Sequence, residues 1–414
     1  MKVVLVHGKF WNSWEALGLG YIGAYVKKHR PDVDLHFFQA CFDSDAEILE
    51  GCRGADLVAF SCTSPAFRHA VVLAADITAR CIIGGYHASA LPLGCLAAGF
   101  DQVVIGEGEA ALLAIVDGYK ARTVAGAPLP FSDLPWPDRR LIRNERNIEV
   151  AARDTGKRIT SFQAHRGCPF LCKFCADGAE KVMFGGQTVR LRHRPVDDLI
   201  EEIASVTSEY RLDYFKFCDP TWNASAAWVD AFCEAKRKSP VAALPFFANL
   251  HANCVTREMT TIMRAAGCRD IGIGIESGSE KVLDEIGKGA TRKAISLACE
   301  AVKEAGIRTR GYFILGMPNE TEEDLQATER FAEELDLDEY GFSLLCPYPG
   351  TAYYDPVKHG GVDWSQTDEY HNDFWRTETV SNARLREWQT RLMEKFGKRL
   401  TWHQQQRQEA PCTK

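Results

Sequence analysis

Residues 159–178, ITSFQAHRGCPFLCKFCADG, decide how the rest of the chain is read. The opening of this stretch has the make-up of a strand, and Cys168, Cys172 and Cys175 follow in a loop at the spacing C-x3-C-x2-C. Three thiolates so placed can ligate three irons of one 4Fe-4S cubane, and with no fourth cysteine close by the remaining iron stays open to a substrate or cofactor. The same thiolates with His165 would make a zinc knuckle. Zinc sites, however, usually come as paired C-x2-C elements or cysteine and histidine pairs, and no second half at that spacing follows downstream. A non-enzymatic iron-sulfur protein would call for four grouped protein ligands, and only three are grouped here.

Downstream of the triad, strand-like and helix-like segments alternate up to residue 355. The pattern predicts strands at 159–165, 213–218, 245–249, 270–275, 308–315 and 340–346. Six βα units suit a partial (β/α)6 barrel better than a closed eight-stranded one. IGIGIESGSEKVLDEIGKG (271–289), GIRTRGYFILGMPNETEEDL (306–325) and CPYPGTAYYD (346–355) each fall at the C-terminal end of a predicted strand, the face of a βα barrel where chemistry occurs. Each also has a plain structural reading. Ser277 or Ser279 would cap a helix with Glu280 in its first turn, and PYPGT would be a turn with preset backbone angles. Asp219, at the next strand end after the triad, suits either a ligand amino group or a turn cap, and Arg310 suits an ion pair.

Upstream, residues 1–125 place apolar runs (VVLVH, DLHFF, LVAFSC, CIIGG, QVVIG) between helix-like stretches. Strands apolar on both faces and separated by helices imply a doubly wound parallel α/β sheet. Residues 126–158, with Pro128, Pro130, Pro135, Pro137 and the charged run RRLIRNERN (139–147), are expected to be a linker. Residues 356–414 are expected to be a helical C-terminal extension. It carries Trp364, Trp375, Trp388 and Trp402, an amphipathic helix over 382–400, and the polar stretch HQQQRQE (403–409) as a frayed end.

The 414 residues exceed what one core usually organises, so two domains and an appendage are expected. Most of the 15 cysteines sit singly in apolar segments and read as small core residues of a cytoplasmic protein with reduced thiols. The start, MKVVLVHGKFW, enters a strand directly and has no secretory-signal pattern. A net charge of -7 argues against a broad nucleic-acid-binding face, and no apolar run approaches the roughly 20 residues of a membrane span. A small-molecule substrate is the expected partner.

The cysteine spacing, followed in order by the three strand-end segments, closely resembles the radical S-adenosylmethionine (SAM) enzymes that carry an N-terminal cobalamin-binding domain. The resemblance implies a 4Fe-4S cluster on Cys168, Cys172 and Cys175 and cleavage of SAM to a 5'-deoxyadenosyl radical. An electron donor such as flavodoxin or ferredoxin is implied with it. It also implies that Phe174 lies near adenine, Glu276 and Ser277 near the ribose and methionine end, and Gly316 and Pro318 in the loop beneath adenine. IIGGYHASALP (82–92) and QVVIGEGEAALLAI (102–115) resemble the last two units of the cobalamin domain. There Gly84, Gly85, Gly106 and Gly108 would let the backbone approach a corrin, and Ser61, Thr63 and Ser64 would donate hydrogen bonds to it. One departure stands out: the D-x-H-x-x-G motif that supplies an axial histidine in many cobalamin proteins is absent, and Asp43-Ser44-Asp45 stands in the region read as corresponding. Methylation of an unactivated carbon is the activity the resemblance favours. Dehydration, oxidation, rearrangement or transfer of another SAM-derived group is the alternative.

Overall fold

The computed structural model describes residues 1–9, 14–177 and 191–400. The N-terminal sheet holds β1 (Lys2–His7), β2 (Asp34–Gln39), β3 (Leu57–Ser61), β4 (Arg80–Gly84), β5 (Gln102–Gly106) and β6 (Thr123–Gly126), all parallel, in the order β2-β1-β3-β4-β5-β6. Alternate residues of each strand feed two separate cores. Val3, Leu5, Leu57, Ala59, Ile82 and Val104 pack on one face, and Val4, Val6, Val58, Phe60, Ile83 and Val103 on the other. This is why the strands read as unbroken apolar runs: helices cover both faces. The order reverses at β1, so the loops after β1 and β3 diverge and leave the crevice at which doubly wound sheets bind ligands.

The second sheet follows chain order. After β7 (Ile159–Phe162) come the short antiparallel hairpin β8 (His165–Arg166) and β9 (Arg192–His193), then β10 (Tyr214–Phe217), β11 (Phe246–Leu250), β12 (Cys268–Glu276), β13 (Arg308–Leu315) and β14 (Glu339–Leu344). The six strands β7-β10-β11-β12-β13-β14 are parallel, each beside its predecessor. This is the partial (β/α)6 barrel expected, with strand ends within a few residues of those read from the sequence.

β12 shows how the sequence shapes the lumen. Ile271, Ile273 and Ile275 are fully buried on its outer face, while Gly272 and Gly274 alternate with them and face inward. A Cβ at Gly272 would lie 2.4 Å from Asn249 Oδ1 and 2.9 Å from the Phe247 and Tyr312 rings, so glycine is what lets these side chains lie against the strand.

Two expectations need correction. The first domain does not end its sheet at five strands, because Thr123–Gly126, reaching one residue into the expected linker, forms β6. The region 126–158 is not loose either. It contains the helix Glu145–Thr155, and Arg139 within it is buried with hydrogen bonds to Asn144, Thr160, the Ser161 carbonyl and Glu202. The tail packs on the barrel. Trp364, Trp375 and Trp388 are buried, and Gln389, on the helix Asn382–Phe396, donates to the Phe342 carbonyl of β14. Trp402 and residues 403–409 lie outside the described residues. Among the described residues, no helix is long and apolar enough to cross a membrane.

Candidate active site

The cysteine loop leaves β7 at the C-terminal end of the barrel and is pinned at several points. Asp219, at the end of β10, is buried and accepts hydrogen bonds from the backbone N–H groups of Ala164 and His165. It therefore caps the turn that leads into the loop. Lys173 N donates to the Ile286 carbonyl and Ala352 N to the Lys173 carbonyl, both at 2.9 Å, which ties the loop to the segments after β12 and β14. Cys175 N donates to the Cys172 carbonyl at 3.1 Å, and Cys168 Sγ lies 3.4 Å from Thr221 Oγ1. Phe170, between the first two cysteines, stacks flat on His251 with centroids 3.5 Å apart.

All three thiols are partly accessible. Among the described residues, no three His, Cys, Asp or Glu side chains converge closely enough to share one metal ion. The zinc-knuckle alternative meets a specific obstacle in His165. Its Nε2 contacts the Trp222 carbonyl and its Nδ1 faces His193 Nδ1, each at 3.0 Å, and burial pushes its pKa down to about 4. Both ring nitrogens are thus engaged away from the cysteines.

Glu276 closes β12 with φ of 65°, a left-handed conformation uncommon for a non-glycine residue and a frequent mark of functional sites. Lys288 holds it there by donating to both Glu276 Oε1 and the Gly274 carbonyl. The Cys172 thiol, pushed up to about 11 chiefly by burial, feels Lys288 and Glu276 electrostatically, so the cysteine loop and this strand end form one neighbourhood. Ser277 is fully buried, with its Oγ 3.1 Å from Thr328 Oγ1 and accepting from Ser279 N. Ser279 is the helix cap, accepting from Val282 N. Phe174 packs half-buried against the barrel core.

Gly316 follows β13 with φ of 92°. Its carbonyl accepts from Trp375 Nε1 at 2.6 Å, and the Pro318 carbonyl accepts from Glu378 N at 3.0 Å, so the tail forms the outer wall of this loop. Glu320 braces it from inside, accepting from Gly316 N and Met317 N. Burial is the largest influence on Glu320 and pushes its pKa up to about 8, against the lowering effect of those two N–H donors. A folded-state value above the ordinary one means the folded chain keeps this proton between roughly pH 4.5 and 8. The associated stability is present below that window and is lost as pH rises through it. Urea unfolding near pH 5.5 and near pH 8.5 should therefore show Glu320→Gln gaining on the wild type by more than about 1 kcal/mol at the higher pH. Equal gaps at both pH values would refute this protonation.

In the N-terminal sheet, the candidate residues cluster at strand ends but differ in what they do. Thr63 is exposed after β3. Ser61 gives its carbonyl to Gly8 N, and the Ser64 hydroxyl contacts buried His87 Nδ1 at 3.0 Å. Gly85, φ 97°, is required by the chain itself, since a Cβ there would stand 2.6 Å from the Cys62 carbonyl oxygen. Gly84 has ordinary space around it. Gly106, φ 86°, donates to Ser89 Oγ, and a Cβ on Gly108 would strike Ile22 at 2.5 Å. Ser44 caps the helix Asp45–Cys52 through a reciprocal box with Glu47, and Asp43 is paired with Arg143 and Arg146. That segment is therefore committed to local structure.

One cavity of about 1870 Å³ joins the two halves. Tyr86, Glu107 and Gly108 line it from the N-terminal sheet, and Gly167, Asn249 and Tyr312 from the barrel. Asn249, near the end of β11, sits level with Gly272, Arg310 and Glu339 across the adjoining strands. Its Oδ1 is buried and has no hydrogen-bond partner among the described residues, which marks a polar site that a ligand donor would satisfy. Arg310, read as a candidate ion pair, is paired with Glu339 at 2.6 Å inside the lumen.

Residues 163–332 match the family model of the Radical SAM superfamily, and residues 3–116 match that of the B12 binding domain. An uncharacterized methyltransferase of Pyrococcus horikoshii is 29% identical over 369 residues, covering 82% of this chain and 77% of the relative. The anaerobic magnesium-protoporphyrin IX monomethyl ester cyclase of Cereibacter sphaeroides is 25% identical, with 86% of this chain and 64% of the relative covered. Among solved structures, the radical SAM methyltransferase TsrM of Kitasatospora setae, with tryptophan and a SAM analog bound, has the same fold. The TM-score is 0.74 at 17% identity, over 96% of this chain and 90% of that one.

Proposed function

We propose that this chain, whose residues 163–332 match the Radical SAM superfamily and residues 3–116 the B12 binding domain, is a cobalamin-dependent methyltransferase acting on an unactivated carbon of a small molecule. When bound, a 4Fe-4S cluster supplies the electron that cleaves SAM to a 5'-deoxyadenosyl radical, and cobalamin supplies the methyl group. Cys168, Cys172 and Cys175 would hold the cluster. Phe174, Glu276, Ser277, Gly316 and Pro318 would line the SAM site, Ser277 with its backbone because its hydroxyl is taken by Thr328. Gly84, Gly85, Gly106, Gly108, Ser61 and Thr63 would border the corrin, while Ser64 is turned to His87.

The observation that carries this reading is the shared cavity. The strand ends of the B12-binding half and the turn into the cysteine loop open into one space, Gly108 and Gly167 among its lining, which supports a substrate held between the two halves. The relatives named methyltransferases agree with it, and the cyclase relative keeps non-methylating chemistry as the competing reading. Anaerobic incubation of reconstituted enzyme with SAM, reductant and cobalamin, followed by mass-spectrometric quantitation, separates them. 5'-Deoxyadenosine together with S-adenosylhomocysteine is the expected result. 5'-Deoxyadenosine alone would replace methylation with the competing chemistry, and neither product from cluster-loaded enzyme with a panel of small-molecule substrates would overturn both.

A further inference from the structure

The loop that follows β5 and the hairpin that leads into the cysteine loop are joined by a buried group of four charges. Arg166 Nη1 donates to Glu107 Oε2 at 3.0 Å and Arg166 Nη2 to Glu109 Oε1 at 2.6 Å. Arg192, paired with Arg166 across β8 and β9, donates to both oxygens of Glu107 and to the Leu129 carbonyl. The side chains are only 4–17% exposed. The Arg166 guanidinium also lies over the rings of Tyr21 and Phe131, at 5.0 and 5.7 Å. Two carboxylates thus balance two guanidiniums, and the forked geometry of arginine fixes orientation as well as distance.

The backbone around Glu107 is closely packed. A Cβ on Gly126 would stand 1.7 Å from the Glu107 carbonyl oxygen, and one on Gly108 would strike Ile22. Arg166 is two residues before Cys168, and Glu107 lies between the two glycines proposed to face the corrin. A buried ion group is weak support for stability in itself, because desolvation offsets most of its attraction. Its distinctive effect is geometric.

We propose that Glu107 and Arg166, with Glu109 and Arg192, are positioning residues that set the spacing and tilt of the B12-binding strand ends over the cluster loop. The proposal rests on the methyltransferase reading, in which the radical and the methyl donor must reach the same substrate atom. A misplacement of about 1 Å can reduce such a reaction by about 100-fold. The test uses the full chain carrying spin labels, introduced as a non-canonical amino acid, at Tyr119 of the first half and Leu297 of the second, both about half exposed. Pulsed EPR should give one narrow distance distribution in the otherwise wild-type chain. It should broaden or shift in Glu107→Gln/Glu109→Gln and in Arg166→Lys, which keeps the charge and loses the fork. Glu107→Gln alone is the milder variant should the double one fold poorly.

In the same variants, the ratio of S-adenosylhomocysteine to 5'-deoxyadenosine should fall by about tenfold or more, with cluster absorbance and retained cobalamin at wild-type levels. Unchanged distance distributions in the variants would overturn the proposal. Failure of the wild type to retain cobalamin would instead defeat the methyltransferase reading, and the distance measurement, which needs no cofactor, would still decide the geometric role.

Discussion

Replacing Cys168, Cys172 and Cys175 together by alanine is expected to abolish the broad iron-sulfur absorbance and to reduce SAM cleavage to the level of an enzyme-free control. Each single replacement should come close to the same result, because each thiolate serves a different iron of the cubane. The cysteines are partly accessible, and their loop is held by backbone hydrogen bonds and by the Phe170–His251 stack, which the replacements leave in place. The apoprotein should therefore keep its helical circular dichroism and its melting temperature. Iron content, absorbance and 5'-deoxyadenosine together make the measurement. A triple variant that still bound iron in stoichiometric amount and cleaved SAM would sink the cluster assignment.

Loss of Glu202 is expected to give the largest change in stability. Glu202 is 1% exposed and accepts from Arg139, which is itself buried, and from buried Arg194. Glu202→Ala leaves two guanidiniums inside the protein with one carboxylate fewer between them. Breaking a buried pair from one side destabilises by about 3–5 kcal/mol, a large share of a typical folding free energy of about 5–15 kcal/mol. Arg140–Glu209, next along the same helix, is the control. Arg140 is 82% exposed, and solvent screening makes such a pair nearly neutral. Urea unfolding of Glu202→Ala and of Arg140→Ala should show a large loss in the first and almost none in the second. Similar values for both would show that the buried network does not act as a unit.

Glu202 also shows where sequence reading stops. In VDDLIEEIASV (196–206) the helical period puts Glu201 opposite the apolar stripe and Glu202 at its border, but only the fold shows that this border meets Arg139 and Arg194. Lys236 is a parallel case. It continues the buried stripe of Trp228, Val229, Phe232 and Cys233 on its helix, but only the fold supplies the carbonyls of Val241, Ala242, Leu244 and Ala266 to which its ammonium donates. The linker expectation for 126–158 failed for the same reason, since its prolines and charges have the make-up of an exposed crossing while Arg139 and the helix Glu145–Thr155 are drawn in by partners far along the chain. Glu107 sits in a short acidic motif whose bland reading is a helix start, and its arginine partners lie 59 and 85 residues away.

By itself the sequence determined the elements whose signals are local. These are the strands that are apolar on both faces, the alternation of strand and helix, and the cysteine spacing that depends on one loop. The tertiary structure alone decided which polar groups meet. It seated Asn249 in the lumen with an unsatisfied oxygen, turned Ser277 and Ser64 inward to Thr328 and His87, and locked Glu107 to Arg166. Periodicity reports burial along one segment, because apolar area is additive and directionless. Hydrogen bonds and ion pairs need two partners at fixed distance and angle, and the partners here come from segments that only the folded chain brings together.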